Sequence, residues 1–204
     1  MAHIQQQEFF KKLKDKFPER FENCSVVDIG SLDLNGNNRY LFNNHTYIGV
    51  DVGPGPNVDV VAKGHEYKSE TQFDVVISSE CFEHDMYYAE TIENCISLTK
   101  PNGLFTFTCA STGRGEHGTR RTNPHDAPFL NEIEGWGDYY KNLTESDIRE
   151  VIDIESHFSE FFFQYNGGAY DLYFWGIKRE ITIEPQYPIY KEEFVLQTTN
   201  VLKL

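Results

Sequence analysis

The sequence predicts an α/β fold, a mostly parallel sheet that finishes in an antiparallel hairpin. Three observations carry that expectation. Short, β-branched apolar runs recur at residues 25–29, 46–50, 58–62, 73–77 and 104–108, and continuous rather than alternating apolar runs suit strands buried on both faces. Helix signals fall between and after these runs. Two aromatic runs, 158–165 and 170–177, flank Asn166-Gly-Gly168, a turn that joins antiparallel strands.

The elements follow in order. Phe9 or Phe10, Leu13 and Phe17 lie about a turn apart and Pro18 follows, so residues 1–20 contain an amphipathic helix ending near residue 17. Between the fourth and fifth runs, Met86, Ala89, Ile92 and Ile96 form one helical stripe, which Lys100-Pro-Asn-Gly103 stops. Thr144-Glu-Ser-Asp147 resembles a capping box, with Ile148, Val151 and Ile152 on one face of the helix it opens. Residues 143–180 thus form a helix and the terminal hairpin. Residues 181–204 are apolar in part, a docked arm, a lid or a dimer contact.

Composition bounds the function. The 204 residues, 39% hydrophobic and 15% aromatic, suit one globular domain with a sizeable core. No apolar run approaches the roughly 20 residues of a membrane span, and the N-terminus is too polar for a secretory signal. A cytoplasmic protein without membrane contact is expected. Cys24, Cys81, Cys95 and Cys109 are scattered, as reduced thiols are, rather than spaced for zinc or disulfides. The formal net charge of −14 repels phosphate backbones and disfavours nucleic-acid substrates.

One pair of strand ends suggests a cofactor. Val26-Val-Asp-Ile-Gly-Ser31 closes a strand on a glycine, and Tyr47-Ile-Gly-Val-Asp51 closes the next on an acid, 21 residues after Gly30. In a βαβ unit the two ends lie side by side. The glycine admits a ligand to the backbone, and the acid can accept hydrogen bonds from a ribose diol. Downstream, the chain reads Phe73-Asp-Val-Val-Ile-Ser-Ser-Glu-Cys-Phe-Glu-His84, then Leu98-Thr-Lys-Pro-Asn-Gly-Leu-Phe-Thr-Phe107.

This ordered pattern resembles class I S-adenosylmethionine (SAM) dependent methyltransferases of the type 11 kind, over residues 24–109. The resemblance implies a Rossmann-like sheet, a SAM-binding core at 24–109 and SAM as cofactor. It implies Asp28, Gly30 and Ser31 at the methionine end, Asp51 and Val52 at the ribose, and Ser79 and Glu80 beside the sulfonium. Two departures stand out. The usual glycine-rich run is replaced by Gly30-Ser-Leu-Asp-Leu-Asn-Gly36. Lys63 stands where relatives often carry an adenine-reading Asp, and a lysine cannot accept that hydrogen bond. Backbone near Gly64 and His65 is the expected substitute.

Methyl transfer needs alignment of an acceptor and, for a hydroxyl acceptor, a base. Residues 110–142 lack regular periodicity, and loops that long are usually functional or disordered. As the expected substrate loop they offer His117 and His125, which with His84 are the candidate bases. Arg114, Arg120 and Arg121 concentrate positive charge and suggest an anionic acceptor, while Trp136 and Tyr139 offer rings for stacking. No dense Asp/Asn cluster or His-x-x-x-His spacing is present, so no metal is expected. The reading is O-methylation of a small polar acceptor such as a sugar or sugar conjugate. The alternatives are a SAM-binding pseudoenzyme, a partner-binding module, or an NAD-dependent oxidoreductase, which would normally carry G-x-G-x-x-G. Ser78-Ser-Glu-Cys81 replaces the Asn/Asp-Pro-Pro-Tyr/Phe motif of N-methylating enzymes that act on nucleic acids and proteins.

Overall fold

A computed structural model describes residues 4–180; the expected arm at 181–204 lies outside the described residues. Helix α1 (Ile4–Lys16) precedes strand β1 (Ser25–Ile29), followed by β2 (Thr46–Asp51), β3 (Val60–Val61) and β4 (Phe73–Ser79). Then come α2 (Tyr88–Leu98), β5 (Thr99–Ala110), α3 (Glu145–Val151), α4 (Ile154–His157), β6 (Phe158–Asn166) and β7 (Asp171–Lys178). The strands form one sheet of order β3-β2-β1-β4-β5-β7-β6. β1 to β5 are parallel, and β7 pairs antiparallel with both β5 and β6.

Each face of the sheet buries its own core. On one face α1 docks Phe9, Phe10 and Leu13 against Val26, Val75, Ile77, Leu104 and Trp175. On the other, Ile92 and Ile96 of α2 and Ile148 of α3 pack on Val27, Val76, Phe105, Phe107 and Phe174. Two-sided burial is why the central strands read as unbroken apolar runs. Thr144 caps α3 in a complete capping box, its hydroxyl accepting from the Asp147 amide while the Asp147 carboxylate accepts from the Thr144 amide.

Two sequence expectations shift. The crossover from β1 to β2 contains no α-helix, only a short 3₁₀ turn at Arg39–Leu41. Its run Ser31-Leu-Asp-Leu-Asn-Gly-Asn-Asn38 is rich in residues that bond their own backbone, and such residues compete with helix. Thus Asp33 accepts from the Gly36 amide at 2.6 Å and from the Asn37 side chain at 2.7 Å. Second, Met86 falls outside α2 and is exposed; the buried stripe runs through Ile92, Cys95 and Ile96. All four cysteines are free thiols. Among the described residues, no helix is long and apolar enough to cross a membrane.

Candidate active site

The carboxyl ends of β1, β2 and β4 open on a cleft with about 640 Å³ of empty space. Its floor is Gly30, Asp51, Val52, Glu80, Cys81, His84 and Asp85, and its far wall is Ala127, Leu130 and Trp136 from the long loop. At Gly30 the chain turns with φ of 79°, and a Cβ there would lie 2.5 Å from the Cys81 Cβ. Only glycine meets both conditions without strain. The Gly30 and Ser31 amides both donate to the Val50 carbonyl, at 2.8 and 3.1 Å. Asp51 completes the turn, accepting from the Leu32 amide at 3.0 Å and the Gly53 amide at 3.4 Å. Burial raises its carboxyl above the ordinary range.

Several residues expected at the cofactor stand outside the cleft lining. Asp28 is buried on β1 and accepts the Tyr47 hydroxyl at 2.6 Å. Burial pushes its carboxyl up to about 7, against the lowering effect of the Tyr47 bond. Ser79 accepts from the Asn38 side chain at 2.8 Å, and the Ser31 carbonyl accepts from Asn57 at 2.9 Å. These three brace the turn. The Asp28 Oδ1 and Ser31 Oγ atoms nonetheless remain buried without a hydrogen-bond partner, and buried polar atoms normally have one.

Lys63 turns its ammonium to Glu66 at 2.9 Å, whereas Ala62 and Gly64 line the cleft. Asp85 lines the same cleft; directly after Glu83-His84, it carries no sequence signal of its own. Asp85 is 3% exposed. It accepts from the Tyr87 amide and the Thr91 hydroxyl, which leaves carboxylate lone pairs to spare. Burial raises its carboxyl as well.

The long loop is folded rather than loose. It contains two 3₁₀ turns, Pro124–Asp126 and Leu130–Glu132, and a small core of Ala127, Leu130 and Trp136 packed against Val52 and Ile133. Phe129 adopts φ of 71° and lays its ring on Gly53, where a Cβ would come within 2.1 Å of it. The arginines are committed within the protein. Arg114 bonds the Ala169 carbonyl at 2.8 Å and lies 3.4 Å from Asp171 and 3.9 Å from Glu80. Arg120 bonds the Asn131 carbonyl and pairs with Asp138; Arg121 pairs with Glu116 and Asp138. The positive charge that suggested an anionic acceptor is therefore taken up by neighbouring acids and carbonyls.

Of the three histidines, His84 and His117 come together. Their rings meet edge-on at 4.9 Å, and Tyr140 packs on both, at 5.4 and 5.1 Å. Burial, and then the neighbouring His117, hold His84 well below the ordinary imidazole range. It is neutral at physiological pH. His125 is exposed on a 3₁₀ turn and is not part of the cleft lining. Trp136 lines the cleft while 4% exposed. Tyr139 is half-buried beside it, outside the lining, with its hydroxyl pushed up to about 12 chiefly by burial.

Glu80 is buried at the start of the turn after β4, with φ of 51° and one carboxylate oxygen without a partner. Burial and the adjacent Glu83 push its carboxyl well above the ordinary range, and Arg114 only partly offsets them. A cationic guest in the cleft favours the ionised form of such a group.

A parallel α/β sheet with one reversed strand next to its end, and a cleft at the carboxyl ends of its first, second and fourth strands, defines a class I methyltransferase. Residues 1–141 match the sequence profile of a methyltransferase domain family, and the chain belongs to that family. No curated protein matches it. Many solved structures share the fold. The N-methyltransferase NodS of Bradyrhizobium japonicum, solved with S-adenosylhomocysteine, is 14% identical with a TM-score of 0.56, over 88% of this chain and 90% of that one. The 1,6-didemethyltoxoflavin N1-methyltransferase of Burkholderia thailandensis, solved with its substrate and S-adenosylhomocysteine, is 17% identical with a TM-score of 0.52, over 88% and 92%. Phosphoethanolamine N-methyltransferase 2 of Haemonchus contortus, solved with phosphomonomethylethanolamine and S-adenosylhomocysteine, is 15% identical with a TM-score of 0.57; this chain covers 53% of its length.

Proposed function

We propose that this protein is a SAM-dependent methyltransferase that O-methylates a small polar acceptor, with sugars and sugar conjugates the first class to screen. The observation that carries the reading is the cleft itself, where the Gly30 turn, Asp51 and the buried Glu80 meet under a folded loop. The residues fit the cofactor: Gly30 and Cys81 leave no room for a side chain in the turn, and Asp28, Ser31 and Glu80 each keep an unpartnered buried atom. SAM supplies an electrophilic methyl group to an acceptor lone pair aligned with the S–CH₃ bond.

In this reading Asp51 accepts the ribose hydroxyls and Val52 packs beside them. Glu80 compensates the sulfonium charge, and Asp28 and Ser31 support the methionine end behind the turn. Asp85, which lines the cleft with Ala62 and Gly64, accepts the adenine amino group in place of the missing acid at Lys63. The loop 110–142 is the acceptor-side wall, with Trp136 and Tyr139 near the ring-binding surface. In this reading His117 takes the acceptor proton, and His84, held neutral by burial, packs against its ring. With its arginines engaged, the loop selects a hydroxyl-bearing acceptor rather than a fully ionised one.

The test is calorimetric titration of the purified protein with SAM, S-adenosylhomocysteine and NAD. Micromolar binding of the first two with no NAD response is expected. Absence of SAM binding would sink the reading, and an NAD response would replace it with the oxidoreductase alternative.

A further inference from the structure

One group of side chains beside the cleft has more hydrogen-bonding capacity than partners. Glu83 is fully buried, and neither oxygen of its carboxyl group has a hydrogen-bond partner. His84 is 7% exposed, and its Nδ1 is likewise buried without a partner. Together with His117 they bring one carboxylate oxygen and two ring nitrogens within 4.8 Å of one another. The cations close to Glu83 are occupied elsewhere. Lys141, whose amide donates to the Glu83 carbonyl at 2.9 Å, sends its ammonium to Asp147 and the Tyr88 hydroxyl at 2.8 and 3.0 Å. Arg114 is held by Asp171 and the Ala169 carbonyl.

A buried carboxylate without a partner is expensive, by several kcal/mol, unless a proton or a cation compensates it. The chemistry of its neighbours decides between those two. The His117 Nδ1 lies 3.1 Å from the Gly115 carbonyl, a contact that only an N–H can make favourably. In the neutral ring that bond places the proton on Nδ1 and leaves the Nε2 lone pair free for a metal. A histidine whose other nitrogen donates to a backbone carbonyl is the usual second-shell arrangement of a metal ligand. Tyr140, packed on both imidazoles, sets its hydroxyl 3.3 Å from the same Gly115 carbonyl. It holds this segment of the loop over His84.

We propose that Glu83, His84 and His117 bind a divalent first-row transition ion beside the methyl-transfer end of the cleft. Two nitrogens and one oxygen suit Zn²⁺, Co²⁺, Fe²⁺ or Mn²⁺ better than Mg²⁺ or Ca²⁺, which prefer oxygen alone. Ligands about 2.1 Å from one ion stand roughly 3–4 Å apart, so side-chain rotation is enough to close a cluster of this span. Three protein ligands leave at least one position open, as in catalytic rather than structural sites. His84 lines the cleft together with Glu80, which places that position on the acceptor side. The role of the ion rests on the methyltransferase reading and refines it: with both imidazoles bound to the ion, an acceptor hydroxyl at its open position is acidified by the metal and its proton passes to solvent rather than to His117. The site's existence rests only on the three side chains.

Untagged, EDTA-treated protein titrated with Co²⁺ provides the test. One equivalent of cobalt is expected to bind with visible d–d absorption, and Zn²⁺ is expected to displace it. His117→Ala, at a partly exposed position, is expected to weaken cobalt binding more than about 10-fold, and Glu83→Gln to do the same. SAM titrations of His117→Ala should match the unaltered protein. Absence of stoichiometric cobalt absorption, or unchanged binding in His117→Ala with its melting temperature intact, would overturn the site. Loss of SAM binding in the unaltered protein would instead overturn the functional reading, leaving the cobalt result to stand by itself.

Discussion

Asp28 shows how a single buried acid ties the Gly30 turn to proton binding. In the fold its carboxyl is pushed up to about 7 from the ordinary 3.8, because burial outweighs the bond from Tyr47. The folded chain therefore holds a proton there between about pH 4 and 7 that the unfolded chain has released. Stability from this group is full below the unfolded value and is lost as pH rises through the folded one. The gap is worth at most about 4 kcal/mol. Asp28→Asn keeps an oxygen for the Tyr47 hydroxyl and removes the titration. Its melting temperature is expected to depend less on pH between 5 and 8 than that of the unaltered protein, with its advantage growing toward pH 8. Equal slopes in scanning calorimetry would show that Asp28 does not carry this effect.

At the scale of elements, the loop between β5 and α3 is a wall of the cleft with its own core. Phe129 against Gly53 is one of the contacts that dock it, beside the packing of Ala127, Leu130 and Trp136 on Val52. Gly53 lies two residues after Asp51 at the end of β2, so anything that displaces Phe129 disturbs the Asp51 end of the cleft as well. Gly53→Ala places a methyl carbon where the ring now lies. It is expected to raise hydrogen exchange across residues 124–136 and to weaken SAM binding about 10-fold, with little change in the sheet. Unchanged exchange in that segment would mean that the loop is anchored elsewhere. The same loop explains the fate of the arginine cluster. A loop this long must satisfy its own backbone, and Arg114, Arg120 and Arg121 each bond one of its carbonyls or a nearby one; buried or half-buried carbonyls need such donors. Charge in the sequence was legible, but its partners were not.

For the whole molecule, the cleft joins the two halves of the chain. Its floor comes from the parallel strands before residue 86, its far wall from the loop after residue 125. A ligand seated there binds the folded state only, and at a concentration about 100 times its dissociation constant adds roughly 2.7 kcal/mol. For a chain of this size that corresponds to a melting-temperature rise of about 5–10 °C. SAM and S-adenosylhomocysteine are expected to give it in a thermal-shift titration, and NAD is not. A rise with SAM confined to low salt would point instead to non-specific attraction of a cation by a protein of net charge −14.

Much of this architecture was written locally. Four of the five apolar runs, the capping box at Thr144 and the Asn166-Gly-Gly168 turn were readable because each depends on periodicity or on backbone preferences of a few adjacent residues, whereas the run at 58–62 forms only the two-residue, exposed edge strand β3. Gly30 and Asp51 were readable for the same reason, as the ends of two such strands. Contacts between distant residues were not. The sequence separates Glu83 and His84 from His117 by more than 30 positions, and only the closing of the loop over β4 brings their donor atoms together. Asp85 became a cleft residue only once the fold brought it to the same lining as Ala62 and Gly64, and His125 left the site because its side chain is exposed outside the lining that Asp126 beside it joins. Local propensity determined the fold class and the position of the Gly30 turn. The tertiary structure decided which side chains share a buried volume, since burial and partnership are properties of packing that no short stretch of chain contains.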